Sequence, residues 1–253
     1  MSVLAKPGKH NKKPESAAVA LDQIESVGDR VGNWIADNAM LVLGAAVMVL
    51  VLAGGYGFIS SSREGAREEA SAALAEVEGA YLQAMGGTLD SVVIDEPANP
   101  ETARRVREEY VGRYAAVASE YPGTIEAQLA SLEQGALLQA VGRSEEAVAT
   151  WQAALDASSE HASVRGLLFE RIAGSGEIAG RWADAGAAHE AASQLAGFPL
   201  RYMALAEAAR CYAEAGEDAK ALALWDRLMA EAPDHKAPPH IAGRMAELRA
   251  AAN

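Results

Sequence analysis

The stretch GEDAKALALWDRLM, residues 216–229, has two altered copies upstream: GRWADAGAAHEAAS at 180–193 and GRSEEAVATWQAAL at 142–155. Each opens on Gly, carries Ala five residues later (Ala221, Ala185, Ala147) and sets a larger side chain four beyond that (Trp225, His189, Trp151). The alanines are 38 and 36 residues apart. Each opening glycine follows a stretch with helical spacing, at 125–141, 163–179 and 201–215, so the repeating unit reads as helix, turn, helix. Recurrence at this interval predicts a solenoid of stacked helix pairs. Ala and Gly let paired helices approach closely, and Trp, Tyr or Leu fill the gaps between them.

Upstream, a further helix is expected from about Glu101 to Tyr121, stopped by Pro122-Gly123. Before it, Ala70, Ala73, Leu74, Val77, Tyr81 and Met85 form one helical stripe that ends at Gly86-Gly87, and a loop, TLDSVVIDEPANP, follows. Half of the 253 residues are apolar while aromatics are few, because Ala carries much of that share. Ala is the strongest helix former, and no window alternates for long like a half-buried strand. The expected class is all-α.

Charge and side-chain chemistry narrow the function classes. Residues 1–59 hold five basic and five acidic side chains, so the net charge of −13 falls entirely on residues 60–253. Such a domain repels phosphates, and no nucleic-acid partner is expected. His235 and His240 are five apart, the wrong spacing for one helix face, so no metal pair is read there. His189 is read as a core or half-exposed histidine. The lone Cys211 is read as a small buried hydrophobe with no local cationic cluster to activate it. GSGEIAG at 174–180 lacks the preceding strand and the following Lys-Ser/Thr of a phosphate loop. Glu108-Glu109 and Glu145-Glu146 are adjacent pairs that diverge on a helix. The expectation is a non-enzymatic protein with no catalytic residues, cofactor, metal or small-molecule substrate.

AMLVLGAAVMVLVLAGGYGFI, residues 39–59, carries no charge. As a helix it would extend about 31 Å, matching a hydrocarbon core of about 30 Å. Export signals have shorter apolar runs near the N-terminus, whereas 38 residues precede this one; a single uncleaved transmembrane helix is expected. Near the span only Arg30 lies before it, with Arg63 and Arg67 after it, but the tail adds Lys6, Lys9, Lys12 and Lys13. A long domain translocates largely regardless of its own charge, so the expected topology is N-terminus cytoplasmic and C-terminal domain outside. Residues 1–15 are Lys-rich and broken by Pro7 and Pro14, and are expected to be disordered. Within 16–38, Ile24, Val27, Val31, Trp34 and Ile35 recur at helical spacing, with Asp22, Glu25, Asp29 and Arg30 between them. This amphipathic juxtamembrane helix is not basic on its polar face. It reads either as an interfacial helix or as a docking helix for a membrane protein, through Val27, Val31 and Trp34.

The 60–253 region resembles the tetratricopeptide repeat. In the last unit Ala209, Tyr212, Gly216, Ala221, Trp225 and Pro233 stand at the consensus intervals. Gly135, Leu138, Gly142, Ala147, Trp151 and Ala154 do so in an earlier unit. The middle unit departs at Gly176 and His189, and Tyr110, Tyr114 and Pro122 look like the end of a degenerate first repeat, making about four. The helical register places Leu129, Leu132 and Gln139, then Leu167, Glu170 and Glu177, then Met203, Arg210 and Glu214, on the concave face. That surface suits peptide segments with basic flanks.

VGDRVGNWIADNAMLVLGAAVMVLVLAGGYGFISSSREGAREEASAAL carries a second resemblance, to the YfgM family of ancillary subunits of the SecYEG translocon: Trp34, Asn38, the span, the aromatic exit at Tyr56 and Phe58, and an Ala-rich helix. The resemblance implies a bacterial single-pass inner-membrane protein whose periplasmic domain helps exported proteins or chaperones beside the translocon. The Lys-rich tail and the 86–100 loop depart from that pattern. Two alternatives stand beside it: a cell-envelope structural or division-coordinating repeat protein, and a cytoplasm-facing, membrane-tethered assembly scaffold.

Overall fold

A computed structural model describes residues 40, 48, 65–87, 97, 99–157 and 161–252. Among them the protein is all-helical. Residues 65–84 are helical and are called α1. Then come α2 (Pro100–Glu120), α3 (Ile125–Ala140), α4 (Ser144–Ala157), α5 (Ala162–Ile178), α6 (Trp182–Ser193), α7 (Arg201–Glu214), α8 (Asp218–Glu231) and α9 (Pro239–Ala251). The expected tail (1–15) and amphipathic helix (16–38) lie outside the described residues. So does the apolar stretch at 39–59, apart from Met40 and Met48, which are helical and exposed. Among the described residues no helix is long and apolar enough to cross a membrane.

Local chemistry explains where the helices start and stop. The Asn99 side chain accepts from the Glu101 N–H at 3.0 Å, and Pro100 occupies the first turn of α2, where no N–H is needed. Thr124 caps α3 by accepting from the Ala127 N–H at 3.1 Å. The turns of the three sequence copies share one geometry. Gly142, Gly180 and Gly216 have φ of 84°, 69° and 79°, a region that favours glycine. The residue after each donates its N–H to the carbonyl five back: Arg143 to Leu138, Arg181 to Gly176 and Glu217 to Tyr212, each at 2.8 Å. This left-handed cap satisfies carbonyls at the helix end and ends each first helix in the same way.

Each helix from α2 onward packs on its sequence neighbours, and α3, α5, α7 and α9 also touch in succession. The first helices of the pairs therefore form one row, with α4, α6 and α8 against it. Ala147, Ala185 and Ala221 are each fully buried at the hairpin contacts. Glycines set the closest approaches. A Cβ on Gly135 would stand 2.1 Å from Trp151 Nε1, and one on Gly166 would stand 2.3 Å from the Phe198 ring. Gly176, which departs from the repeat pattern, lies so near α6 that an added Cβ would meet that of Ala185 at 3.3 Å. The Trp151 ring fills the space over Gly135 and donates to the Leu132 carbonyl at 3.1 Å. Leu74 of α1 packs in one cluster with Tyr110, Tyr114 and Val117 of α2 and Leu137 of α3.

Candidate functional site

In the first and last copies a tryptophan, Trp151 or Trp225, fills the space beside the turn alanine; in the middle copy that position is His189, 4% exposed. A polar ring there must be hydrogen-bonded. Two carboxylates supply the bonds. His189 Nδ1 donates to Glu170 Oε1 at 3.0 Å, and Nε2 donates to Glu177 Oε1 at 2.9 Å. Glu170 and Glu177 are seven residues apart on α5, two helical turns, and so lie on one face. From α7, Arg210 donates to Glu177 Oε2 and to Glu207 Oε2, both at 2.6 Å. Its guanidinium also lies 5.7 Å from the centre of the Trp182 ring on α6. The buried Cys211 Sγ completes the group, 3.6 Å from Glu177 Oε1. Three helices thus meet in a network of two cationic side chains against three carboxylates.

The protonation follows from these contacts. Burial alone would depress the His189 pKa, but Cys211, Glu170 and Glu177 more than reverse that and raise it to about 10. Burial would raise the Glu177 carboxyl, yet His189 and Arg210 bring it below its ordinary value. The Cys211 thiol is pushed up by burial, against the pull of His189 and Arg210. The linkage has two limbs. His189 has a raised folded pKa, so its contribution is fully present below about 6.5 and is lost as pH rises through about 10. Glu177 has a lowered folded pKa, so its contribution is present above about 4.5 and is lost as the solution is acidified. Denaturation midpoints of the full chain should therefore fall from neutral pH toward pH ~10. His189→Gln should flatten that alkaline limb and leave a lower plateau. An equally steep limb in the variant would place the titrating group elsewhere.

The register argument put Glu170, Glu177 and Arg210 on one surface, and the structure does bring them together. All three are half-buried: Glu170 and Glu177 each hold His189, and Glu177 also holds Arg210. Leu132, expected on the same face, is turned inward and packs with Leu138, Trp151 and Leu168. Gln139 and Met203 are half-buried, and Glu214 is exposed at the end of α7. Val27, Val31 and Trp34 lie outside the described residues. The reading of Cys211 as buried holds, but the absence of cationic neighbours does not, because His189 reaches it from another helix. The overlooked members are therefore His189, Cys211 and Glu207. The available signal was a histidine at a tryptophan position with two acids seven apart on the helix before it.

Glu177, His189 and Cys211 offer an oxygen, a nitrogen and a sulfur that all lie within 4.8 Å of one another, the donor types of a transition-metal site. A separate cavity of about 370 Å³ opens between α2, α3 and α4. Six alanines line it, and Gln128, also in its lining, has an Oε1 without a partner. No family model matches this chain, and no curated protein or solved structure does either.

Proposed function

We propose that this chain is a non-enzymatic, membrane-anchored scaffold whose 60–253 region is a degenerate tetratricopeptide-like solenoid. In this reading it serves as an auxiliary of the Sec translocon and periplasmic chaperone network, in the manner of the YfgM family. The observation that carries the scaffold reading is the thrice-repeated hairpin joint: Gly142, Gly180 and Gly216, all at positive φ, with one hydrogen-bond pattern. With the first helices touching in succession, turns of this one kind offer a continuous surface, the form in which helical repeats bind protein segments. On that row Leu167, Met203 and Glu214 stay at least partly accessible, a mixture of apolar and acidic groups suited to peptides with basic flanks. The uncharged 39–59 stretch supports the anchor, and the Lys-rich tail supports a cytoplasmic N-terminus and a periplasmic repeat domain.

Purification of the full chain from membranes in a mild detergent tests this reading. Channel subunits should accompany it together with soluble periplasmic proteins. Removing residues 60–253 should release the soluble partners and keep the channel subunits. In spheroplasts, external protease should digest the 60–253 region. Protection of that region, or purification without any channel subunit, overturns the export assignment.

A further inference from the structure

We propose that Glu177, His189 and Cys211 bind a zinc-class divalent cation that ties the α5–α6 hairpin to α7. The donor set decides the class of ion. Thiolate, imidazole and carboxylate together suit zinc, whereas calcium and magnesium take oxygen donors. Tetrahedral zinc with bonds of about 2.0–2.3 Å needs ligand atoms about 3.3–3.8 Å apart. Cys211 Sγ and Glu177 Oε1 are already 3.6 Å apart. The 2.9 Å contact between His189 Nε2 and Glu177 Oε1 must open by only about half an ångström.

The surrounding groups are those that orient ligands in metal sites. Glu170 holds His189 Nδ1, which leaves Nε2 toward Glu177 Oε1, and the ligand atoms of His189 and Cys211 lie within 4.8 Å of each other. Arg210, itself held by Glu207, binds Glu177 Oε2 and leaves Oε1 for the ion. Water would be the fourth ligand of a tetrahedral site. The three ligands come from three helices, so an ion there would crosslink two successive hairpins. The Cys211 thiol is the donor that selects a thiophilic metal. Loading exchanges protons for metal: the His189 imidazolium and the Cys211 thiol each release one, and the Sγ and Nε2 lone pairs then bond the ion.

Cobalt(II) is the probe. The purified full chain, free of any histidine tag and stripped with a chelator, is titrated with Co²⁺ while its visible and near-ultraviolet spectrum is read. The expected result is one saturable site with a thiolate-to-cobalt charge-transfer band and the strong visible bands of four-coordination, both bleached by Zn²⁺. Affinity should rise with pH, since ligation releases protons. Cys211→Ala should abolish the charge-transfer band, and His189→Gln should weaken binding about a hundredfold or more. Zn²⁺ should raise the melting temperature of the wild-type chain and not that of Cys211→Ala. Circular dichroism checks that each variant is folded. Because the thiolate band is read in the wild-type chain, the result does not depend on a variant folding. Absence of that band, or equally tight cobalt binding by folded Cys211→Ala, overturns the site. The titration is independent of the partner purification, so either proposal can fail alone.

Discussion

Glu177→Ala should lower the unfolding free energy of the full chain by about 3 kcal/mol, the lower end of the cost of removing one member of a buried ion pair, because Glu177 itself is half-buried while its partner His189 is buried. The reason is the position of this carboxylate. One oxygen accepts from His189 on α6 and the other from Arg210 on α7, at 2.9 and 2.6 Å. Truncation leaves His189 a buried cation with one of its two carboxylates and Arg210 with Glu207 alone, so the loss exceeds that of a surface pair. Glu214→Ala, at the exposed end of α7, is the matched control and should stay within about 0.5 kcal/mol. Urea denaturation followed by circular dichroism and tryptophan fluorescence measures both. A double-mutant cycle of Glu177→Ala with Arg210→Ala should give a coupling of about 1–3 kcal/mol, because the residues are in direct contact. If Glu177→Ala matches Glu214→Ala, the network adds nothing to the joint between α5, α6 and α7.

Trp151→Ala is expected to cost a similar amount, about 3–5 kcal/mol, by a different route. The indole is fully buried and lies directly over Gly135, so its removal opens a cavity that backbone on the α3 side cannot fill without moving. It also takes away the donor to the Leu132 carbonyl. Trp151→Phe separates the two contributions: most of the ring volume stays while the carbonyl is orphaned, and the loss should be about 1–3 kcal/mol. Gly135→Ala tests the same contact from the opposite side. Its new methyl would collide with Trp151, and overpacking of this kind costs about 1–3 kcal/mol. Should Trp151→Ala prove no worse than Trp151→Phe, the ring is not the wedge that sets the α3–α4 spacing.

Much of the helical architecture was legible in residue order because its causes are short-ranged. Gly142, Gly180 and Gly216 sit in a left-handed conformation that disfavours other residues, so their spacing announces the turns. Asn99-Pro100 and Thr124 mark helix starts through hydrogen bonds made two or three residues away. Ala147, Ala185 and Ala221 recur because a larger side chain would hold paired helices apart, and all three are buried as expected. Even the shared face of Glu170 and Glu177 followed from counting two helical turns.

Only the tertiary structure decided what that face meets. His189, Arg210 and Cys211 are 12, 33 and 34 residues from Glu177 and reach it from two other helices. Residue order places each on a face of its own helix. It does not specify how closely α5, α6 and α7 approach or how far each is rotated about its axis. Those quantities come from packing, including the contact of Gly176 with Ala185, where an ångström of separation decides between a hydrogen bond and none. Hence side chains expected on one face are also tied into an ion network across three helices, and a cysteine read as inert lies against a histidine and a carboxylate. Helix periodicity is a property of neighbours in sequence; a cluster drawn from three helices depends on the packing of the whole stack.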